Sequence, residues 1–278
     1  MLTSTEYQGV SGCFALSNGT VKVIVAGEFG PRILSYGFDD GDNVLGWHPE
    51  AAVETEFGTW KPYGGHRLWL APERMPTSYA PDNHKVEVFE EGGLGVRLVG
   101  RPDAAGVQKI MTATLAPSGS EVTIDHRLTV EKTCEAAAWT LTIMAPGGTV
   151  VIPNETHAPY SPEHLLPVRS MALWSYTDFT DPRWEFGKDA IRLRVDESLG
   201  HQQKIGVLNK QGWAAYEVGD VRFTKRVDFV DAIYPDNNSN FEFYTAGGFV
   251  EVETLSPLRQ LEAGATIEHC EVWSLERT

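Results

Sequence analysis

Apolar and polar residues alternate with a period of two through most of the chain. In the first half the alternating segments are VKVIVAG (21–27), HKVEVFEEGGLGVRLVG (84–100), VQKIMTATLAPSGSEVTIDHRLTV (107–130) and AAWTLTIMA (137–145). The second half adds AIRLRV (190–195), KIGVL (204–208), DVRFTKRVDFV (220–230), FEFYTAGGFVEVETL (241–255) and TIEHCEVWSL (266–275). Such alternation is typical of strands, and the Gly- and Pro-bearing stretches between segments are typical of turns. Helical periodicity lasts one or two turns at most, so the pattern predicts an all-β sandwich or barrel.

The length and composition favour a single domain over residues 1–278. With 278 residues, 42% of them hydrophobic, the chain can bury a large core. The longest irregular stretch, 146–187, is rich in Pro, His and Trp, which argues against a disordered linker. Long ordered loops on a β scaffold often carry binding residues.

Charge and motifs exclude several classes of function. The chain has 23 Lys and Arg against 38 Asp and Glu, a formal charge of −15, so we expect no nucleic-acid and no membrane partner. Nucleotide, flavin and serine-hydrolase motifs are missing, and we expect no cofactor. The N-terminal residues lack a signal pattern and the three cysteines form no CxxC pair, which predicts a cytoplasmic protein. A homodimer is kept as an option.

Strand phase assigns two carboxylates to one face of the segment 249–255. Glu251 and Glu253 alternate with Val250 and Val252, so the valines belong in a core and the glutamates point the other way. On a solvated face they are the polar side of a half-exposed strand. In a pocket, burial would raise the pKa of either carboxyl toward the range of a general base. Both interpretations remain open on the pattern alone.

Two more charged or polar residues lie in phase with apolar ones. Lys225 shares a strand face with Val221 and Phe223, so it either extends to a strand end or reaches a polar cavity. His126 shares a face with Ile124 and Leu128, which favours a hydrogen-bonded core residue.

The stretch YGGHRLWLAPER (63–74) places His66 and Arg67 on opposite faces of a strand. Arg67 lies in phase with Trp69, whereas His66 lies in phase with Leu68, unless the preceding Gly-Gly pair or a bulge turns it. A guanidinium beside an indole suits sugar hydroxyls and the C–H face of a pyranose, and it also suits a surface cation–π pair. His157, in the loop NETHAPYSPEH, lacks the spacing of a metal motif, and we expect no metal. Eight Trp and nine Tyr in an acidic β chain favour a carbohydrate ligand.

The C-terminal segment FVEVETLSPLRQLEAGATIEHCEVWSL resembles the closing segment of galactose mutarotase-like proteins, in which a Glu-Thr strand leads to Pro, a Gly turn and a last strand. The landmarks GGHRLWLAPE, WTLTIMAPGG and YPDNNSNFEFYT extend a similar layout, that of a bacterial branch of this superfamily, over most of the chain. The resemblance implies a supersandwich of two large antiparallel sheets, with a sugar site on the concave face of one sheet.

The resemblance also implies that Glu253 is the base of an aldose 1-epimerase, which removes the proton from the anomeric hydroxyl while a histidine protonates the ring oxygen. The histidine motif of the epimerases is replaced here by LTIMAPGG, so the acid is unassigned and His66 and His157 are the candidates. The expected activity is interconversion of the anomers of a monosaccharide or sugar acid, and Arg67, Trp69, Lys204, Lys225 and Glu251 are the expected substrate-binding residues. The alternatives are a sugar-binding protein without catalysis and a uronate lyase or isomerase, in which Arg67, Lys204 and Lys225 would bind the carboxylate.

Overall fold

The computed structural model of the protein describes residues 1–166 and 168–278, which form 25 strands and one four-residue helical turn. In the first half of the chain the strands are β1 (Thr3–Tyr7), β2 (Val10–Ser17), β3 (Val21–Ala26), β4 (Ile33–Phe38), β5 (Trp47–His48), β6 (Val53–Thr55), β7 (Gly58–Trp60), β8 (Tyr63–Gly64), β9 (His66–Ala71), β10 (Glu87–Glu91), β11 (Gly95–Val99), β12 (Val107–Leu115), β13 (Val122–Val130) and β14 (Cys134–Met144). The second half contains β15 (Thr149–Pro153), β16 (Met171–Leu173), β17 (Trp184–Phe186), β18 (Ala190–Arg194), β19 (Gln202–Val207), β20 (Trp213–Val218), β21 (Val221–Arg226), the turn α1 (Pro235–Asn238), β22 (Phe241–Ala246), β23 (Val250–Leu255), β24 (Arg259–Leu261) and β25 (Thr266–Arg277). Within these ranges, no helix has the length and apolar character needed to span a bilayer.

Two large antiparallel sheets contain most of the strands. The larger has 11 strands in the spatial order β1-β2-β3-β4-β9-β14-β23-β22-β19-β16, with β24 paired to β14. The smaller has 10 strands in the order β10-β11-β12-β13-β25-β21-β20-β15-β18-β17. The prediction of an all-β sandwich of two large antiparallel sheets is therefore confirmed.

The apolar core lies between the two sheets. Leu68 and Val252 of the larger sheet belong to the same buried cluster as Ile124, Phe223 and Trp273 of the smaller one, and each is at most 1% exposed. The inward position of Val252 agrees with the strand phase predicted for 249–255. The opposite face of the 11-stranded sheet points away from the smaller sheet, and we call it the outer face.

Aromatic side chains cover the centre of the outer face. Trp60 and Tyr79 pack on Trp69, with ring centroids 5.1 and 4.8 Å from that indole, and the ring centroid of Trp139 lies 5.3 Å from it. Trp60, Trp69 and Trp139 are at most 5% exposed. The outer face is therefore a second, smaller hydrophobic layer into which charged groups can be buried.

The Gly64-Gly65 pair fixes the entry of the chain into β9. The two glycines have φ values of +107° and +66°, conformations that favour glycine over other residues. Gly65 donates its N–H to the Gly46 carbonyl at 2.8 Å, and its own carbonyl accepts from the N–H of Ile143 at 2.9 Å. The chain therefore enters β9 through a tight passage between the backbones around Gly46 and Ile143.

Candidate functional site

Register across the centre of the larger sheet places charged side chains side by side on the outer face. Leu141 of β14 is paired with Arg67 of β9 on one side and with Glu253 of β23 on the other. Glu253 is in turn paired with Glu242 of β22. Because directly paired residues in antiparallel strands point to the same side of a sheet, these side chains form one row. With Lys204 and Glu251, which share this face, we call Arg67, Glu242 and Glu253 the outer cluster.

Lys204 of β19 bridges two of the carboxyl groups. Its Nζ lies 2.7 Å from an oxygen of Glu242 and 3.1 Å from an oxygen of Glu253, and its side chain is 5% exposed. The same ammonium lies 4.7 Å from the ring centroids of both Trp139 and Trp174. Burial by itself would lower the pKa of Lys204, but the charges of Glu253 and Glu242 outweigh it and raise that pKa. Lys204 is therefore a fixed positive charge at neutral pH.

Glu253 is fully buried at the centre of the outer cluster. Its Oε2 accepts hydrogen bonds from the indole N–H of Trp139 at 2.8 Å and from Lys204 at 3.1 Å, whereas its Oε1 has no partner in the protein. Burial raises the pKa of Glu253, the charge of Lys204 opposes that shift, and the nearby Glu251 adds to it. The net direction moves this carboxyl toward the range of a general base.

Glu242 is a second buried carboxyl in the same row, and the sequence reasoning missed it. It is 0% exposed, and its Oε1 has no hydrogen-bond partner in the protein. Burial raises the pKa of Glu242 well above its ordinary value against the opposing charge of Lys204, and the neighbouring Glu253 raises it further. The sequence does contain a signal for this position. The segment FEFYTAGGFVEVET has the pattern of a hairpin, and pairing across that hairpin places Glu242 opposite Glu253.

Arg67 and Glu251 form the other ion pair of the outer cluster. Their Nη2 and Oε1 atoms are 2.9 Å apart, and the Arg67 side chain is 3% exposed. The guanidinium lies 4.7 Å from the ring centroid of Trp69 and 5.4 Å from that of Trp60. Strand phase predicted Arg67 beside Trp69, and the structure agrees. Nε and Nη1 of Arg67 have no partner in the protein.

A cavity of about 330 Å³ opens onto this face. Its wall includes Trp139, Trp174, Tyr79, Lys204 and Glu242. Among the residues predicted from the sequence, Lys204 lines the cavity, whereas Arg67, Trp69, Glu251 and Glu253 are not part of its wall. Trp69 packs against the ring of Tyr79, which is part of that wall.

Solved structures of similar shape have been found for the whole chain. A galactose mutarotase-like protein from Lactobacillus casei matches with a TM-score of 0.60 at 12% identity, over 95% of this chain and 100% of that one. A galactose mutarotase related enzyme from Lactobacillus acidophilus matches with a TM-score of 0.59 at 7% identity, over 96% and 98% of the two chains. A galactose mutarotase-like protein from Clostridium acetobutylicum matches with a TM-score of 0.52 at 10% identity, over 100% and 99%.

The protein has the galactose mutarotase-like fold. At these identities the likeness is one of fold alone. No protein-family model matches the chain, and no curated protein matches its sequence. The chemistry of this galactose mutarotase-like sandwich therefore depends on its own residues.

His66 lies on the opposite face of the sheet from Glu253. It is 0% exposed, and its ring nitrogens lie 2.8 Å from Thr142 Oγ1 and 2.7 Å from His126 Nε2, between the two sheets. Arg67 points to the outer face, and neighbouring residues of a strand point to opposite sides, so His66 points away from Glu253. The prediction of His66 as the acid beside Glu253 is therefore corrected. Neither the Gly-Gly pair nor a bulge turns the imidazole outward.

Lys225 also faces the interior of the galactose mutarotase-like sandwich, so its predicted role in binding the sugar is corrected too. It is 0% exposed, with its Nζ 3.0 Å from Glu271 Oε1. The ammonium donates to Thr142 Oγ1 at 2.6 Å and to the carbonyl of Val252 at 3.0 Å. Its strand phase allowed either a strand end or a polar cavity, and the structure shows a polar interior.

Lys225 and Glu271 join His66, His126 and His269 in an inner cluster whose hydrogen bonds fix the histidine tautomers. His126 Nδ1 lies 3.0 Å from the carbonyl oxygen of His269, so Nδ1 carries the proton and Nε2 accepts from His66. His66 Nδ1 then accepts from the hydroxyl of Thr142, which accepts from Lys225. His126 is thus a hydrogen-bonded core histidine, as its phase predicted.

Three side chains of the inner cluster also have the atom types of a metal site. Ligand atoms of His66, His126 and Glu271 lie within 4.8 Å of one another. The two imidazole nitrogens are 2.7 Å apart, closer than the separation of about 3.3 Å that two bonds to a tetrahedral zinc require. The ammonium of Lys225 also lies 3.0 Å from Glu271. This donor set fits a hydrogen-bond network better than a cation site.

His157 is exposed in the irregular segment after β15. A second cleft of about 260 Å³ lies along that segment, with Glu155, Arg169 and Gln211 among its lining residues. None of the outer-cluster residues lines this cleft within the described ranges. The structure therefore does not bring His157 together with Glu253.

Proposed function

We propose that the protein binds a monosaccharide at the outer face and interconverts its anomers, with Glu253 as the base. The observation that carries the proposal is that several buried polar atoms on the outer face have no hydrogen-bond partner in the protein. They include Oε1 of Glu242, which lines the cavity, and Oε1 of Glu253 on the neighbouring strand. Nε and Nη1 of Arg67 and the indole nitrogens of Trp60 and Trp69 belong to the same face but not to the cavity wall. A buried polar group without a partner costs about 1–3 kcal/mol, so a ligand rich in hydroxyl groups is favoured there.

The cavity wall supports a sugar among hydroxyl-rich ligands. Trp139, Trp174 and Tyr79 supply aromatic surface for the C–H face of a pyranose, next to the charged groups of Lys204 and Glu242. A volume of about 330 Å³ falls in the range of about 300–1,000 Å³ that small-molecule sites occupy.

The charge of the outer cluster favours a neutral sugar over a uronate. Arg67 is engaged by Glu251, and Lys204 is shared by Glu242 and Glu253. Two cations thus face three carboxyl groups, and a sugar carboxylate would find no free positive charge among them. The uronate lyase or isomerase alternative receives no support from this arrangement.

The chemistry assigned to Glu253 is removal of the proton from the anomeric O1 hydroxyl. As that proton leaves, C1 and O1 form a carbonyl, the bond from C1 to the ring oxygen breaks, and the ring oxygen takes a proton. Rotation about C1–C2 and the reverse steps give the other anomer. The base needs a raised pKa and an oxygen free to accept, and Glu253 meets both requirements through its burial and its Oε1.

The test follows the anomeric signals by NMR after dissolving a panel of pure α-aldoses, including glucose and galactose. We expect the wild type to accelerate equilibration of at least one sugar, and Glu253→Gln to lower kcat by about 100-fold or more. Glu268→Gln, on the exposed surface of the smaller sheet, is the matched control and should keep the wild-type rate. No acceleration for any sugar would refute the proposal, and calorimetric binding without turnover would identify a non-catalytic sugar-binding protein.

A further inference from the structure

We propose that Glu242 is the proton donor to the ring oxygen, held as a neutral carboxylic acid next to an ionised Glu253. The inference rests on the proposed function and names the acid that the reaction requires. Neither His66, which is between the sheets, nor His157, which is in the exposed segment, shares a face or a contact with Glu253.

Geometry places Glu242 where a donor is needed. Glu242 and Glu253 are directly paired on adjacent strands, and both carboxyl groups contact the same Lys204 ammonium, at 2.7 and 3.1 Å. Glu242 lines the cavity, and its Oε1 has no partner in the protein. The two carboxyl groups are thus close enough to serve the two oxygens of one hemiacetal carbon.

Charge balance requires a proton on one of the two carboxyl groups. With Arg67 paired to Glu251, Lys204 supplies one positive charge for both Glu242 and Glu253. All of these side chains are at most 10% exposed, and an uncompensated charge buried to that degree is costly. One bound proton makes the group of three neutral.

Hydrogen bonding decides which carboxyl group holds that proton. Glu253 accepts from both Trp139 and Lys204, and donors to a carboxylate favour its ionised form. Glu242 contacts Lys204 but has no indole donor. Burial raises the pKa of Glu242 well above its ordinary value, in agreement with this assignment. Two carboxyl groups whose environments separate their pKa values are the usual arrangement of an acid and a base.

The proposed proton transfers balance. Glu253 takes the O1 proton while Glu242 gives its proton to the ring oxygen, the C1–ring oxygen bond breaks, and C1 and O1 become an aldehyde. After rotation about C1–C2, Glu242 takes the proton back from the ring-oxygen hydroxyl as that oxygen attacks C1, and Glu253 returns a proton to O1. The negative charge moves from Glu253 to Glu242 and back while both contact Lys204, so the net charge of the group stays constant.

The carboxyl groups of Glu73 and Asp236 also line the cavity, and the charge of Asp236 adds to the raised pKa of Glu242. Two further titratable groups near this face, His48 and Tyr244, are poorer donors. Burial lowers the pKa of His48, so its imidazole is neutral at pH 7. Burial and the neighbouring carboxylates raise the pKa of Tyr244 to about 12, too high for efficient transfer near neutral pH.

The test combines kinetics with an activity-independent measurement on wild type, Glu242→Gln and the surface control Glu268→Gln. Infrared spectra at pH 7 should show a protonated-carboxyl C=O band in wild type and Glu268→Gln that is missing in Glu242→Gln. With a sugar that the wild type equilibrates, Glu242→Gln should lose about 100-fold or more in kcat, and the alkaline limb of its pH–rate profile should disappear. Glu242→Asp, which keeps the acid but withdraws it by one methylene, should retain part of the activity and shows that the site still folds.

The outcomes separate this inference from the proposed function. An active wild type with Glu242→Gln within about threefold of its kcat would overturn the donor role and leave the proposed function standing. A wild type inactive on every sugar would refute the proposed function and the donor role with it, even with the infrared band present. Absence of the band from the wild type would overturn the neutral-acid assignment directly.

Discussion

Acidification should destabilise the protein through the buried histidines of the inner cluster, and His269 gives the clearest case. Its Nε2 lies 2.7 Å from Thr254 Oγ1, and burial lowers its pKa to about 3. Burial also lowers the pKa of His66 and of His126. The cluster already contains the Lys225–Glu271 pair, so a charged imidazole would add a buried charge without a counterion.

The sign and size of the effect follow from proton linkage. An unfolded histidine has a pKa of about 6.5, so between pH 6.5 and about 3 the unfolded chain binds a proton at His269 that the folded protein does not. The stability contributed by neutral His269 is therefore complete above pH 6.5 and is lost as the pH falls toward 3. At pH 5.5 the loss is about 1.4 kcal/mol, and at pH 7.5 it is below about 0.1 kcal/mol.

The assay compares guanidinium unfolding of wild type and His269→Gln at pH 7.5 and 5.5, followed by tryptophan fluorescence. The glutamine amide can donate to Thr254 but does not titrate. The raised pKa of Glu242 acts in the opposite direction, because the folded state holds a proton there, so the comparison uses the difference between the two proteins. We expect the drop in unfolding free energy between the two pH values to be about 1.4 kcal/mol larger in wild type.

His84→Gln is the matched control, since His84 is exposed, and its pH dependence should equal that of the wild type. Equal drops in wild type and His269→Gln would refute the reasoning, because His269 would then titrate alike in the folded and unfolded states.

Two further predictions concern stability. Glu271→Gln should lower the free energy of unfolding, measured by denaturant titration, by about 3–5 kcal/mol because it leaves the ammonium of Lys225 without its buried partner. The double variant Lys225→Met/Glu271→Leu should lose less unfolding free energy in the same titration. An equal or larger loss in the double variant would contradict this explanation. Gly65→Ala should lower the thermal midpoint of unfolding more than Gly92→Ala. Both glycines have a positive φ, which costs a non-glycine residue about 1–3 kcal/mol. A Cβ at position 65 would also meet the carbonyl of Ile33, whereas a Cβ at position 92 would meet nothing within 4 Å. Equal midpoints would show that the close approach at Gly65 has no energetic weight.

Local alternation predicted the face of most site residues correctly. The period of two in β9 separated Arg67 from His66, and in β23 it separated Glu253 from the core valines. This works because side-chain direction in a strand depends only on position along that strand. The same rule explains why His66 is not the acid next to Glu253.

What the sequence could not supply is the set of partners between distant strands. The residues of the inner cluster come from four strands: His66 from β9, His126 from β13, Lys225 from β21 and Glu271 from β25. No local sequence pattern predicts that these strands lie close together. Glu242 was missed for a related reason. Its own strand marks it as one acidic residue between two phenylalanines, and its environment depends on Lys204 of the neighbouring strand.

The inner and outer clusters lie on opposite faces of the same strands, and this couples the stability of the core to the geometry of the site. Val252 lies between the two glutamates of β23, and its carbonyl accepts a hydrogen bond from Lys225 at 3.0 Å. Thr142 of β14, paired with Val252, accepts from the same ammonium. The buried lysine thus links a side chain of the strand that carries Trp139 to the backbone of the strand that carries Glu253. A side chain that never contacts the cavity therefore helps to determine where the proposed base points.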